Sequence, residues 1–188
     1  MKKESFYITG ESVVIKLVTR KELDDYLYIR RYATVFKKVY DIKDGLWEYM
    51  KQGLIEDIQG SDIICLIYQK QSQKRIGYIE LEMKDVHCPR VGIGILEEER
   101  KKGYAFEAAS LLINKAFEDE GIECIEWMTT EGNEASNRIA RKLGGEFIRR
   151  EPIIPADVME RWGEETPKER EIPCYVVYGI YKNRFANR

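Results

Sequence analysis

The chain has 188 residues, enough to bury a core in a single domain, and 31 Lys and Arg against 33 Asp and Glu leave a net charge of -2. That balance offers no basic excess for nucleic acid or an anionic bilayer. Residues 1–6 lack an apolar leader core, and no stretch reaches the length of a membrane span. Cys65, Cys88, Cys124 and Cys174 show no C-x-x-C spacing and have one histidine for company, which argues against a structural metal or a secreted disulfide framework and for four free thiols in a reducing cytoplasm.

Residues 12–18 alternate weakly and predict a first strand. Thr19 and Glu22 read as a capping box, and Leu23, Tyr26, Leu27, Ile29 and Tyr32 form a helical stripe reaching about residue 40. A second helix is predicted from Asp44, carrying Leu46, Trp47, Met50, Leu54 and Ile55. Arg30, Arg31, Lys37 and Lys38 read as a solvated helix face, with a nucleic-acid face as the competing reading. Residues 63–68 are an unbroken apolar run, hence a buried strand; residues 75–83 make the second strand of a hairpin, and residues 85–89 turn into the next. There Val91, Ile93 and Ile95 alternate with Gly92 and Gly94, so one face carries little bulk.

After the acidic run at residues 97–99 comes Arg100-Lys101-Lys102-Gly103-Tyr104-Ala105. A helix follows with Phe106, Ala109, Ile113, Ala116 and Phe117 on its apolar side. Residues 122–130 predict a strand. Asn133 caps a short helix with Ala135, Ile139, Ala140 and Leu143 inward and Gly144-Gly145 at its end. Residues 146–150 predict a strand, and residues 175–181 close the sheet. Between them, residues 152–173 hold Pro152, Pro155, Pro167 and Pro173 among many charges and read as a long excursion with one helical turn near residues 158–162. The order β-α-α-β-β-β-α-β-α-β-β is that of a mixed α/β sheet domain.

Strand, glycine turn and helix together aim free backbone N–H groups and the positive helix end at an anion. Gly103 permits close approach, and Ala105 keeps the first turn slim. Neither the P-loop spacing nor the three-glycine dinucleotide spacing is present. Arg100-x-x-Gly103-x-Ala105 instead resembles the pyrophosphate signature Q/R-x-x-G-x-G/A of the GNAT N-acetyltransferases. The stretch Asn133-Glu134-Ala135-Ser136-Asn137-Arg138-Ile139-Ala140-Arg141-Lys142-Leu143-Gly144-Gly145 is similar to that family's second cofactor segment, N-x-x-S-x-x-x-A/Y-x-x-L-G-F/G. The resemblance spans about residues 11–151, and the N-x-x-S-N variant is closest to the branch that acetylates ribosomal-protein N-termini.

The resemblance implies one domain over residues 1–188 with the acyl-CoA N-acyltransferase fold: a mixed, mostly antiparallel twisted sheet of about seven strands with flanking helices. It implies a cytoplasmic N-acetyltransferase that moves an acetyl group from acetyl-CoA to a primary amine by direct attack in a ternary complex. Its partners would be acetyl-CoA and the amine, with no nucleic acid or membrane, and a homodimer stays open. Under it, Arg100 heads a loop in which the backbone N–H groups of Lys101, Lys102, Gly103, Tyr104, Ala105 and Phe106 hold the pyrophosphate. Backbone groups of Ile93, Gly94 and Ile95 flank the pantetheine arm and the acetyl carbonyl, and Asn133 bonds the arm. Lys142, with Arg141, meets the 3′-phosphate on grounds of charge.

The proton groups depart from the family pattern: Ala140 stands where many members have an acidic tyrosine, and Met128 where some have a glutamate. Those departures sustain an alternative, a non-catalytic acyl-CoA-binding module. Ser136 is the candidate hydroxyl near the thiol, or an ordinary helix-surface hydroxyl. Tyr78, Glu80 and Glu82 share one strand face, and a turn at residues 84–89 would set Glu80 opposite Ile93. Glu80 is then either a base acting through a water or a sheet glutamate in solvent or a salt bridge. The acidic excursion (Asp157, Glu160, Glu164, Glu165) would attract a cationic acceptor, or is a solvated loop.

Overall fold

β-branched and aromatic residues dominate the sheet, and where an apolar run is unbroken the strand has a helical layer on each side. The computed structural model describes residues 6–33, 46–153 and 174–185. The strands are β1 Tyr7–Thr9, β2 Val13–Leu17, β3 Ile63–Gln69, β4 Arg75–Glu82, β5 Arg90–Ile95, β6 Cys124–Thr130, β7 Glu146–Pro152 and β8 Cys174–Tyr181. They form one eight-stranded sheet in the order β1-β2-β3-β4-β5-β6-β8-β7. Only β5 and β6 pair in parallel; every other pairing is antiparallel. The eighth strand, against the seven expected, is β1: at three residues it is too short for alternation to register.

The helices are α1 Leu23–Ala33, α2 Leu46–Gln59, α3 Tyr104–Phe117, α4 Glu134–Lys142 and the single turn α5 Lys182–Phe185. Before α1, Glu22 Oε2 accepts from the Thr19 backbone N–H (3.2 Å), the glutamate half of a capping box, and from the Thr19 hydroxyl (2.9 Å). The predicted extension of α1 to residue 40, the pair Lys37 and Lys38, and the acidic part of the excursion with its helical turn lie outside the described residues. On one face, Tyr26, Leu27, Ile29 and Ala33 of α1 and Leu54 of α2 pack on Val14, Ile64, Leu66, Tyr68 and Tyr78. On the other, α3 and α4 cover Ile15, Cys65, Ile67, Ile79, Val91, Ile125 and Trp127. The apolar run of β3 thus feeds both layers alternately.

Several expectations are corrected. Glu80 pairs with Gly92, not Ile93, whose partner is Ile79. This register suits the side chains, since a Cβ at residue 92 would come 2.4 Å from Glu80 Oε1. Arg30 does not belong to a solvated face; it forms an ion pair with buried Glu80 at 2.9 Å. Ala135 is exposed, and α4 buries Asn137 with Ala140. The Asn137 amide tolerates burial because it donates to the carbonyls of Asn133, Thr130 and Glu131, while its oxygen accepts from the Tyr178 hydroxyl.

The four-thiol reading also fails. Cys88 and Cys124 form a disulfide with Cα atoms 4.7 Å apart, while Cys65 and Cys174 lie buried outside it. The parallel register at the start of β5 and β6 brings the two together. Beside them the Glu123 and Glu126 N–H groups donate to the His87 and Pro89 carbonyls at 3.1 and 2.9 Å. A separation of 36 residues leaves no local signal of that meeting. Chain entropy for a loop of that size predicts that Cys88→Ser lowers stability by about 3–4 kcal/mol in oxidising buffer. Calorimetry should show the wild type falling to the variant's Tm in dithiothreitol; a wild-type Tm indifferent to reductant would show that the crosslink does not form.

Candidate active site

β5 and β6 register at two positions only, Arg90 with Glu126 and Val91 with Trp127. Beyond these the strands part, so residues 93–95 and 128–130 face each other across a wedge in the middle of the sheet. Below the vertex the strands are tied by the disulfide and by Arg90, whose Nε and Nη2 donate to Glu126 Oε2 at 3.0 and 2.8 Å. Arg149 reaches Glu126 Oε1 from β7 at 2.6 Å. Burial works against ionising Glu126, but the Arg149 and Arg90 guanidiniums hold its carboxyl below the usual range.

The glycine loop stands at the open end of β5. Lys101 (φ 63°) and Gly103 (φ 87°) both take left-handed conformations, which turns successive N–H groups to one side. A Cβ on Gly103 would meet no protein atom within 4 Å, so the loop surface there is open. Glu107 is the first N–H of α3 to reach a carbonyl one turn back (Gly103 O, 3.1 Å). The N–H groups of Tyr104, Ala105 and Phe106 therefore point out of the helix end. The side chains have other duties. Arg100 donates to the carbonyls of Ile95 (3.0 Å) and Ala33 (3.3 Å), tying β5 to the end of α1. Lys102 and Lys74 bond Glu99 at 2.8 and 2.6 Å and keep its carboxyl below the ordinary value. The Tyr104 hydroxyl accepts from Gln69 Nε2.

α4 flanks the wedge from the β6 side. Asn133 Oδ1 accepts from the Ser136 N–H at 3.2 Å, which fixes the amide oxygen as the helix cap and turns its NH2 outward. Lys142 Nζ lies 3.9 Å from the centre of the Phe106 ring, so the end of α4 and the start of α3 are neighbours. Trp127, the β6 residue at the vertex, is buried and its indole N–H donates to Ser136 Oγ at 3.0 Å.

On the opposite sheet face Glu80 lies over Gly92, the first β5 residue past the last pair registered with β6. It is 5% exposed and paired with Arg30, whose guanidinium also sits 4.3 Å from the Tyr78 ring centre. Burial raises the Glu80 carboxyl above the usual range even though Arg30 opposes the shift. Gly94 admits the Tyr78 ring and Ala33, which a Cβ there would approach within 2.4 and 3.2 Å.

The structure thus gathers residues 93–95, the 101–106 loop, Asn133, Ser136 and Lys142 around one wedge, with Glu80 behind it. Arg100 lies at its border, exposed, with its guanidinium on the Ile95 and Ala33 carbonyls. Sequence reasoning missed Arg30 and Trp127. The i, i+4 spacing of Tyr26 and Arg30 would have set Arg30 on a buried helix face, and the alternation of β6 would have set Trp127 inward.

The acetyltransferase (GNAT) domain model matches residues 13–146. A GNAT-family acetyltransferase from Bacillus anthracis superposes with a TM-score of 0.68 at 16% identity, over 95% of this chain and 99% of that one. A Vibrio cholerae protein provisionally described as a ribosomal-protein-serine acetyltransferase gives 0.66 at 17%, over 96% and 99%. A spermidine N-acetyltransferase chimera of Vibrio cholerae SpeG and hSSAT gives 0.69 at 14%, over 95% and 100%. At such identities the likeness is one of fold. No curated protein sequence matches the chain.

The Glu80–Arg30 pair makes a stability prediction. Arg30→Met leaves a buried carboxylate without its partner and should cost about 3 kcal/mol near neutral pH. A carboxyl raised in the folded state is favourable while protonated and loses that advantage as pH rises through its folded value. Urea unfolding should therefore show the deficit shrinking in acid; a deficit independent of pH would separate Arg30 from the charge on Glu80.

Proposed function

Because the chain belongs to the GNAT acetyltransferase family, we propose that this acetyltransferase takes its acetyl group from acetyl-CoA, the family's cosubstrate. It passes that group to a primary amine by direct attack in a ternary complex, within a single cytoplasmic domain where acetyl-CoA is supplied. The observation that carries the reading is the parting of β5 and β6 beside the left-handed loop at the α3 N-terminus. A loop with two left-handed residues and three outward N–H groups fits a pyrophosphate, and the wedge fits an extended arm with amide groups of its own.

When bound, acetyl-CoA supplies an acyl carbon activated as a thioester. Lys101 to Phe106 hold the pyrophosphate through backbone N–H groups, Asn133 offers its NH2 to the arm, and Lys142 adds positive charge for the 3′-phosphate. The backbone of Ile93 to Ile95 orients the acetyl carbonyl and stabilises negative charge on its oxygen. Glu80 takes the amine proton through a water, its raised carboxyl being better matched to neutral pH than an ordinary glutamate. Ser136 serves the departing sulfur. The amine is a protein N-terminus or a small-molecule amine; two structural neighbours are named for a ribosomal-protein serine and for spermidine.

The decisive experiment is calorimetric titration with acetyl-CoA beside Gly103→Glu, followed by thiol release with a serine-terminated peptide and spermidine. The wild type should bind and turn over at least one amine. The variant should lose binding, since its side chain adds negative charge where the phosphates lie and strains a left-handed residue. No binding by either protein would end this reading. A second test follows the pH profile of kcat. Activity should rise with pH through a value above the ordinary glutamate range as Glu80 deprotonates, and Glu80→Gln should lose that limb. A variant that keeps the limb would remove Glu80 as the base.

A further inference from the structure

Trp127 stands at the vertex of the wedge as the last β6 residue registered with β5. It is 2% exposed, and its indole nitrogen, a donor with no acceptor capacity, donates to Ser136 Oγ at 3.0 Å. A serine hydroxyl has two lone pairs and one proton. One lone pair is committed to Trp127, the backbone N–H of Ser136 is committed to Asn133, and among the described residues no acceptor takes the hydroxyl proton. Ordinarily a helical serine can turn that proton back onto a carbonyl of the preceding turn. The indole anchor holds the oxygen beside the vertex instead.

We propose that Trp127 is a positioning residue that fixes the Ser136 hydroxyl as a hydrogen-bond donor toward the departing sulfur in the wedge. This rests on the reading of Ser136 given above and deepens it. In the transfer the amine nitrogen bonds to the acyl carbon, the C–S bond breaks with its electron pair passing to sulfur, and the amine proton passes to Glu80. Ser136 completes the thiol with its own proton and regains one from solvent, so the products are the amide and the free thiol. An indole N–H on the hydroxyl oxygen favours this step twice. It orients the O–H bond and stabilises negative charge on oxygen while the proton is shared with sulfur. An apolar residue at position 127 would fill the same core space and leave the hydroxyl to choose its own rotamer.

The test is a cycle of Ser136→Ala, Trp127→Phe and the double variant, measured as kcat and KM for acetyl-CoA with the peptide or spermidine substrate turned over above, each with its Tm. Trp127→Phe should lower kcat about fivefold to tenfold with KM for acetyl-CoA unchanged, the loss of one charge-assisted hydrogen bond. Ser136→Ala should lower it at least as much, and the double variant should fall no further than Ser136→Ala. If Trp127→Phe costs the same factor with alanine at position 136, its effect is structural and the proposal fails. The same follows if a folded Trp127→Phe keeps the wild-type kcat while Ser136→Ala does not. A wild-type kcat in Ser136→Ala overturns the serine's role and this proposal with it, while acetyl-CoA titration still tests the enzyme reading separately. If Trp127→Phe does not fold, the 15N-indole resonance of Trp127 decides. It should shift and exchange faster with water in Ser136→Ala, and an unmoved resonance overturns the pairing.

Discussion

The structure depends on one backbone constraint: two neighbouring strands in the middle of a sheet stop pairing after two registered positions. Backbone N–H and C=O groups are costly to leave unmatched inside a protein, so a wedge at this place exists only where something else holds the strands apart and something else uses their edges. Beneath the vertex the ties are dense. They comprise the disulfide, the His87 and Pro89 carbonyls, and Glu126 shared by Arg90 and Arg149. Above it, α3 and α4 lean on the same sheet face from either side and meet at Phe106 and Lys142. The two strands are thus fixed together at one end, with the glycine loop and the outward N–H groups of α3 at the other.

The glycines of β5 serve the opposite face. Each costs conformational entropy in a strand, roughly 0.5–1 kcal/mol relative to alanine. Gly92 admits the Glu80 carboxylate and Gly94 admits the Tyr78 ring and the Cβ of Ala33. α1 can therefore lie close enough for Arg30 to reach Glu80 and for the Ala33 carbonyl to accept from Arg100. One guanidinium balances a buried charge, and the other links the end of α1 to the end of β5. α1 and the glycine loop are thereby joined through side chains: Arg30 is drawn largely out of solvent, and Arg100, though exposed, spends its guanidinium on two carbonyls.

Much of this was legible in the sequence, for physical reasons. The eleven-residue and fourteen-residue helices have clear apolar stripes, and the apolar run of β3 could only be a buried strand. Asn133 and the glycine loop were readable because caps and left-handed turns demand particular residues. What escaped was long-range. The Cys88–Cys124 link and the register of Glu80 depend on how separate strands meet, and β1 is too short to show a period. Arg30 escaped because a charge was presumed to seek solvent, and Trp127 because the pattern of residues 122–130 predicts a strand without showing what its indole N–H would bond.

The basic run beside Gly103 looks like an electrostatic site, yet its charges are largely spent internally. The Arg100 guanidinium sits on two carbonyls, and Lys102 shares Glu99 with Lys74. Among the described residues, Lys101 is the member of the run whose side chain is bonded to neither a carboxylate nor a carbonyl. Under the proposed function, anion recognition at this loop would fall to main-chain N–H groups held by two left-handed residues and by the start of α3. A fixed cradle of dipoles loses little entropy on binding, whereas three flexible cations would each lose rotamer freedom and be screened by salt. Arg100, Lys102 and Lys74 instead brace the turn, so its backbone geometry is set by the glycine and the helix start more than by the charges.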